Sequence, residues 1–216
     1  MYIPTPNRVD DKARINSFIH SHGFATVVTH HEGALWASHL PVLFDEATEG
    51  HGLLRSHMAR ANEQWRHFGA DREALCIFHG PHSYISPSSY VMQETVPTWN
   101  YAVVHVYGKA RVVEDPAILR QIVTDTTTKY ESLRPVPWQI TLPEPAFNGM
   151  LNAIVGFTIE ITRIEAKFKL GQNRSQADQS GMLRDLTASP DPASQQLASF
   201  ISAQNANAKP EVNKNE

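Results

Sequence analysis

The sequence predicts an antiparallel β-barrel with helices packed against its outside. Six or more segments rich in β-branched and apolar residues follow one another at short spacing. Few helical segments separate them, and neither strand–helix–strand alternation nor a Gly-rich dinucleotide fingerprint is present. We therefore predict a mainly β protein of the α+β class.

The predicted strands are short, and most of them end at a turn. Phe24–Thr29 is rich in β-branched residues and precedes the turn His31-Glu-Gly33. Residues 157–164 alternate apolar and polar side chains, which is typical of a half-buried strand. Gly80-Pro81 and Ser86-Pro87 predict a loop around Tyr84. The other predicted strands cover 34–40, 52–57, 74–78, 97–107 and 110–113.

The first predicted helix covers 10–22, because Ile15, Phe18 and Ile19 form an apolar stripe that Gly23 can end. Four prolines within 134–146 predict an irregular loop. Further helices are expected at 59–68, 115–130 and 175–186. We predict one domain with peripheral helices over 1–190, a C-terminal helix over 191–204 and a disordered tail over 205–216.

The composition limits the class of protein. The chain has 216 residues, 41% of them hydrophobic and 19% charged, with no apolar run near the ~20 residues of a membrane span. A net charge of −3 makes direct binding to duplex DNA doubtful, because such binding needs a basic face. The single cysteine, Cys76, excludes an internal disulfide and predicts a cytoplasmic protein. Its apolar surroundings predict a buried, inert thiol.

A group of hydrogen-bond donors follows the predicted strand at 52–57. An Arg guanidinium matches the geometry of a phosphate, and a hydroxyl and an amide beside it can complete the hydrogen bonds of a phosphate monoester. This interpretation predicts a nucleotide-type cofactor. A solvated helix start that carries surface donors explains the same spacing equally well. The donors are Arg55, Ser56, His57, Arg60 and Asn62.

Trp99 and Asn100 open another predicted strand after a proline turn. Trp99 could pack beside a flat heteroaromatic ring while Asn100 bonds its polar edge. Residue chemistry alone favours the alternative, in which Trp99 and Tyr101 share one strand face and pack into the core while Asn100 points away.

The basic segment Lys167–Arg174 follows a strand and could supply a second set of cofactor contacts through Lys169, Gln172 and Asn173. The alternative is a basic turn that caps the next helix, with Arg174 pairing to Asp178 four residues later. The eleven histidines have no recognisable zinc-ligand spacing, and we expect no metal site.

Several segments together identify a resemblance. The chain resembles the PaiB-like family, the FMN-binding negative transcriptional regulators, over about residues 1–190. The ordered set is far more specific than any single motif. Its segments are Met1–Pro4, His39–Pro41, Ser56–Asn62, Phe78–Pro87, Val96–Tyr101 and Lys169–Arg174.

The resemblance implies a split β-barrel like that of pyridoxamine-phosphate oxidases and flavin reductases. It also implies a homodimer that binds FMN in clefts between two subunits. By this analogy the strand end at Ser56–His57 and the following Arg60–Asn62 meet the phosphate. Trp99–Asn100 and the set Lys169, Gln172 and Asn173 lie near the cleft, from either subunit. Ser89 stands where the family usually has Trp, which removes apolar surface and is expected to weaken flavin affinity or widen the pocket.

The resemblance leaves three functions open. The first is a small FMN-dependent oxidoreductase, in which the flavin transfers the electrons and the protein binds and orients it. His57 and His105 are its candidate proton carriers, because imidazole titrates near neutral pH. The second is a transcriptional regulator that acts indirectly or on DNA, and the third is a haem-binding split barrel.

Overall fold

A computed structural model describes residues 1–69, 72–92 and 94–207. Within these residues the chain forms eight strands and five helices. The strands are β1 Arg8–Val9, β2 Phe24–His31, β3 Ala34–Pro41, β4 Leu43–Asp45, β5 Leu53–Ala59, β6 Glu73–Ile85, β7 Thr98–Val113 and β8 Ile154–Lys169. The helices are α1 Lys12–Ser21, α2 Pro116–Glu131, α3 Glu144–Leu151, α4 Gln176–Ala188 and α5 Pro192–Asn207.

The strands form one sheet in the order β3-β2-β6-β7-β8-β5-β4, and β1 pairs with β8. The pairings of β2 with β3 and β6, and of β5 with β4 and β8, are antiparallel. This confirms the predicted mixed α+β class with an antiparallel sheet. The chain divides into two compact units, and β6, β7 and β8 contribute residues to both.

The first unit comprises Met1, Asp10–His79 and Val104–Ala166. β3 and β4 lie at opposite ends of the sheet order, yet only Val42 separates them in the chain. The Ser56 hydroxyl of β5 donates to the Pro41 carbonyl at the end of β3, at 2.6 Å. Both facts bring the ends of the sheet together, as in a barrel. The interior is filled by alternate strand residues, among them the fully buried Val27, Leu54, Phe78, Val104 and Phe157.

The second unit comprises Tyr2–Val9, Gly80–Val103 and the chain from Lys167. Its core joins the ends of strands to the helix pair α4 and α5, because these helices turn their apolar sides toward each other. The buried members are Ile85, Tyr90, Met182, Leu186, Leu197, Ala198 and Ile201.

Side-chain caps fix where the helices begin. The side chains of Asp11, Asp115 and Ser175 accept backbone N–H groups at the starts of α1, α2 and α4, and Pro116 occupies the first position of α2. These are the starts that the sequence predicted to within two residues.

Four local predictions were wrong. Residues 59–68 form no α-helix, because β5 continues to Ala59 and only a 3-10 turn, Glu63–His67, follows. β6 continues through Tyr84 to Ile85, so the predicted loop is a strand. α3 begins at Glu144, inside the proline-rich segment predicted as irregular. Residues 205–207 of the predicted tail belong to α5, and the rest of that tail lies outside the described residues.

Candidate functional site

Arg55 lies on β5 and faces two carboxylates. Its Nε and Nη2 donate to the carboxylate of Asp45 on β4, the latter at 2.8 Å, and its Nη1 donates to Asp125 Oδ2 on α2 at 2.7 Å. The hydrogen bonds to Asp45 raise the pKa of Arg55 further above its ordinary value. Because all three guanidinium nitrogens are occupied and two negative charges adjoin them, Arg55 does not fit the predicted role in a phosphate grip.

Ser56 points to the opposite side of β5, because successive strand residues alternate faces. It is fully buried, and its hydroxyl is bound to the Pro41 carbonyl. Ser56 therefore closes the barrel from inside, and the predicted contact between its hydroxyl and a phosphate does not fit this position.

His57 lies on the same face as Arg55 and opposite Gly156 of β8. A methyl group added to Gly156 would come within 2.9 Å of Leu119 on α2, which shows how closely α2 covers this pair of strands. Burial lowers the pKa of His57, and its Nδ1 has no hydrogen-bond partner among the described residues. Burial likewise lowers the pKa of His105 on β7, and its Nδ1 also has no hydrogen-bond partner among the described residues. Both imidazoles are therefore neutral at neutral pH.

Arg60 is exposed and follows the end of β5. Its Nε donates to the Asn152 carbonyl at 2.7 Å and its Nη2 to the Ile154 carbonyl at 2.9 Å. Nη1 has no partner in the part of the chain that the structure describes. Two backbone carbonyls therefore fix the plane of this guanidinium and leave one of its nitrogens available.

Asn62 is the N-cap of the 3-10 turn Glu63–His67. Its Oδ1 accepts from Gln64 N at 3.2 Å, and its Nδ2 donates to Ser38 Oγ on β3 at 2.8 Å. The amide thus ties the chain after β5 to the edge strand. Neither of the two sequence interpretations foresaw this contact, because Ser38 lies 24 residues away.

In the second unit, Trp99 and Asn100 point in directions opposite to those that the core interpretation predicts. Trp99 is 54% exposed, whereas Asn100 is 1% exposed and its Nδ2 contacts Met182 Sδ at 3.1 Å. The core interpretation of Trp99 was wrong, since the alternation of β7 places Asn100 inside. The indole is accessible to a ligand, and the buried Asn100 amide faces α4.

Lys169 is the last residue of β8, and Gln172 and Asn173 follow it in the next turn. Lys169 Nζ donates to Thr98 Oγ1 at the start of β7. Gln172 Nε2 donates to the Phe168 carbonyl at 2.6 Å and the Pro6 carbonyl at 2.9 Å, so it stabilises the turn. Asn173 is exposed. The turn itself does not cap the next helix, because the N-cap of α4 is Ser175.

The predicted pairing of Arg174 with Asp178 is replaced by two separate contacts. Arg174 donates to Thr95 Oγ1 at 3.0 Å and lies over the ring of Tyr90, 4.7 Å from its centroid. Asp178 accepts the N–H of Val91 at 2.8 Å and the Ser175 hydroxyl at 2.8 Å.

Sequence reasoning missed a cavity of about 530 Å³ in the second unit. It is lined by Trp99, by His82 and Tyr84 of β6, and by Asp185 and Asp191 around the connection between α4 and α5. The aromatic residues alternate along β6 and β7 and could have been noticed once that segment was recognised as a strand. The two aspartates carry no signal in the sequence that links them to those strands.

Comparison with known proteins decides the family. Residues 1–163 match the family described as "Putative FMN-binding domain". The chain is also 38% identical over 203 residues to protease synthase and sporulation protein PAI 2 of Bacillus subtilis (strain 168), across 93% of this chain and 96% of that protein. The chain belongs to the PaiB-like FMN-binding family. An uncharacterized protein of Emericella nidulans is 29% identical over 187 residues, across 68% of this chain and 73% of that protein.

Solved structures extend the likeness at the level of the fold. A conserved hypothetical protein from Mycobacterium tuberculosis superposes with a TM-score of 0.59 at 15% identity, over 82% of this chain and 95% of that one. The FAD and heme binding protein from Mycobacterium smegmatis superposes with a TM-score of 0.56 at 13% identity, over 76% of this chain and 73% of that one. The flavocytochrome Anf3 from Azotobacter vinelandii superposes with a TM-score of 0.53 at 13% identity, over 73% of this chain and 67% of that one. The predicted split-barrel fold is thereby confirmed.

Membership of the family supports FMN as the cofactor, and the residues of the first unit partly fit it. The available nitrogen of Arg60 suits a phosphate. The buried Nδ1 of His57 on β5 has no hydrogen-bond partner among the described residues. Among the described residues, no cluster of three or more His, Cys, Asp or Glu side chains could hold a metal ion. Within the same residues, no helix combines the length and apolar character needed to cross a membrane.

Proposed function

We propose that this protein is an FMN-binding flavoprotein in which Arg60 binds the phosphate of the cofactor. The observation that carries the proposal is the anchoring of the Arg60 guanidinium by the carbonyls of Asn152 and Ile154. A guanidinium already held in place loses little side-chain entropy when it binds an anion. Its remaining nitrogen can then form a charge-assisted hydrogen bond.

Neighbouring residues support Arg60 rather than compete with it. The Asn62 amide holds the chain after β5 against β3 through Ser38, and so positions the segment that carries Arg60. When FMN is bound it supplies the hydride or electron transfer. The chain's own residues bind it, orient it and exclude water.

The residues of the second unit form a separate part of the proposal. The exposed indole of Trp99 offers a flat apolar face of the kind that packs on a heteroaromatic ring. Lys169, Gln172 and Asn173 would contribute polar contacts, and Asn100 would act by fixing the strand that carries Trp99. Because Asp185 and Asp191 line the cavity beside Trp99, this region does not suit a phosphate.

Comparison of FMN with riboflavin tests the phosphate contact, because riboflavin lacks only the phosphate. We expect the purified protein to bind FMN, as followed by flavin absorbance and fluorescence quenching. Arg60→Lys should weaken FMN binding by about tenfold, because Lys cannot keep both carbonyl contacts and still reach an anion with the same geometry. Riboflavin binding should be unchanged.

Arg66→Ala is the matched control, since Arg66 is exposed, pairs with Glu63 three residues earlier at 3.2 Å and lies over the ring of Trp65. It should bind FMN as the wild type does. A colourless protein that does not bind added FMN would exclude the proposed function. An Arg60→Lys variant that loses FMN and riboflavin affinity equally would exclude the assignment of the phosphate.

We further propose that the active form is a homodimer, formed through the outer face of β2 and β3. Phe24 is 65% exposed and Leu35 76% exposed, and the strand register places both on the face opposite the barrel interior. Thr26 and His39 pair on the same face, with 3.0 Å between Thr26 Oγ1 and His39 Nδ1. The helices α1 and α2 pack instead on β4 and β5. An exposed apolar sheet face of this kind suits a second copy of the chain.

Light scattering after size-exclusion chromatography tests the dimer. We expect a dimer for the wild type and a monomer for Leu35→Glu, because a charge in the interface would be buried without a partner. Leu133→Glu is the control: Leu133 is 80% exposed, and its replacement should leave the dimer intact. A monomeric wild type would contradict the assembly but not FMN binding.

The activity that fits these features is that of a small cytoplasmic oxidoreductase. A regulatory role would then proceed through the state of the flavin or through a partner protein, because a net charge of −3 does not favour contact with DNA phosphates. A gel-shift assay with promoter DNA measures this directly. Tight, sequence-selective binding would contradict the indirect route.

A further inference from the structure

The cavity in the second unit has the size of a small-molecule site. Its volume of about 530 Å³ lies within the range of typical ligand pockets, roughly 300–1,000 Å³. Its walls come from the end of β6, the start of β7 and the connection between α4 and α5. The site is therefore built by one compact unit.

One wall is aromatic. Trp99 and Tyr84 are 54% and 51% exposed, and their rings meet edge to face with centroids 6.2 Å apart and planes inclined by 73°. The His82 ring also lies near the indole, with 6.2 Å between centroids and planes inclined by 37°. Large rings left open to solvent on neighbouring strands offer π-faces, which attract cations.

The other wall is acidic. Asp185 lies on the exposed side of α4 and forms no ion pair within the described residues. Asp191 caps α5: it accepts the N–H of Ala193 at 3.2 Å and the hydroxyl of Ser194 at 2.8 Å. Ser194 Oγ in turn lies 2.8 Å from Ser83 Oγ on β6, so this carboxylate is fixed relative to the aromatic wall.

The hydrogen bonds from Ser194 and the backbone lower the pKa of Asp191, so it is ionised at neutral pH. The cavity therefore combines fixed negative charge with π-faces. Phosphates and carboxylates are disfavoured by the two aspartates. A bare metal ion lacks enough ligands here, because two carboxylates leave most of its coordination sphere empty.

We propose that this cavity binds an organic cation of the alkylammonium class, with the charged nitrogen between the carboxylates and the indole and the alkyl groups against Trp99 and Tyr84. The proposal concerns residues of the second unit alone and shares only Trp99 with the proposed flavin contacts.

Choline and its neutral analogue 3,3-dimethylbutan-1-ol test the proposal, because they have the same shape and differ in charge. Isothermal titration calorimetry on the full chain should detect choline binding at least about tenfold tighter than that of the alcohol. Asp185→Asn should weaken choline about threefold to tenfold and leave the alcohol unchanged, since only the charge is removed. Trp99→Leu should weaken choline about tenfold.

Asp10→Asn is the matched control, because it removes one exposed carboxylate from the first unit. It should bind choline as the wild type does. Circular dichroism during heating checks that the variants fold, which is expected because Asp185 and Trp99 are exposed. FMN is titrated into the same samples, so loss of FMN binding with intact choline binding would count against the proposed function alone.

Two results would overturn the inference. One is equal affinity of the wild type for choline and the alcohol, or no binding of choline. The other is choline binding that survives Asp185→Asn and Trp99→Leu at wild-type strength.

Discussion

The imidazole rings of His31 and His67 stack in the first unit, with centroids 4.4 Å apart and planes inclined by 24°. Arg72 Nη1 lies 3.0 Å from His31 Nδ1, and Thr29 Oγ1 lies 3.0 Å from His67 Nδ1. Trp36 meets the His67 ring edge to face at 5.0 Å. Burial, and then the nearby His31 and Arg72, lower the pKa of His67, although Glu32 and Glu63 act in the opposite direction.

This arrangement predicts that acid destabilises the protein. Since the folded state holds His67 at a pKa below its ordinary 6.5, the unfolded chain binds more protons in the interval between the two values. The free energy of unfolding should therefore decrease as the pH falls below about 6.5. His67→Gln should reduce that decrease in urea titrations at several pH values. His51→Gln, an exposed control, should keep the wild-type slope, and an unchanged slope in His67→Gln would contradict the role of His67.

Two helical glycines should respond to alanine in opposite ways. A Cβ at Gly181 of α4 would lie 2.1 Å from the carbonyl oxygen of Ser89, whereas a Cβ at Gly149 of α3 would have no atom within 4 Å. Gly149→Ala should stabilise the protein by about 0.5–1 kcal/mol, because Ala loses less backbone entropy on folding. Gly181→Ala should destabilise it by about 1–3 kcal/mol, because backbone must move. Thermal and urea unfolding measure both, and a stabilising Gly181→Ala would show that α4 can move away from Ser89.

Arg55 should contribute to stability and not to cofactor selectivity. Its removal leaves the carboxylates of Asp45 and Asp125 without their shared cation. Arg55→Ala should therefore lower the free energy of unfolding by about 2 kcal/mol, the order expected for charged hydrogen bonds that are partly buried. The ratio of FMN to riboflavin affinity should stay at the wild-type value.

Arg134→Ala serves as the control for this variant. Arg134 is exposed and pairs with Glu131 on the surface, so the effect should stay within about 0.5 kcal/mol. If Arg55→Ala lowered the ratio of FMN to riboflavin affinity, Arg55 would contact the phosphate, as the sequence predicted.

Cys76 should be unreactive in the folded protein. It is fully buried, and burial raises its pKa from 9.0 to about 12, which reduces the thiolate fraction about a thousandfold. Alkylation by iodoacetamide at pH 8, followed by mass spectrometry, should be negligible until denaturant is added. Rapid labelling without denaturant would show that β6 opens readily.

The strands and helices could largely be predicted from the sequence, because they depend on neighbouring residues. The alternation in 157–164 lies within β8, and Asp115-Pro116 marks the start of α2. The failures have local causes too: Gly80 and Pro81 suggested a turn, but β6 tolerates them and continues to Ile85.

The candidate site was harder to predict, because a residue type does not reveal its partner. Arg55 and Arg60 are chemically identical in the sequence, and either could bind a phosphate. In the fold, Arg55 meets Asp45 and Asp125, the latter 70 residues away. The Arg60 guanidinium meets two backbone carbonyls, 92 and 94 residues away. The same limit applies to Trp99, because its exposure depends on which face of β7 it occupies.

By itself, the sequence determined the α+β class, most strand and helix positions, the buried thiol and the family. These properties depend on local patterns of apolar residues, caps and ordered motifs, and such patterns are complete within the chain. Only the tertiary structure decided which donors already have hydrogen-bond partners, which aromatic rings are exposed to solvent and which carboxylates line the same cavity as those rings. Each of those outcomes is a contact between distant segments, and its energy exists only once the fold has brought both partners together.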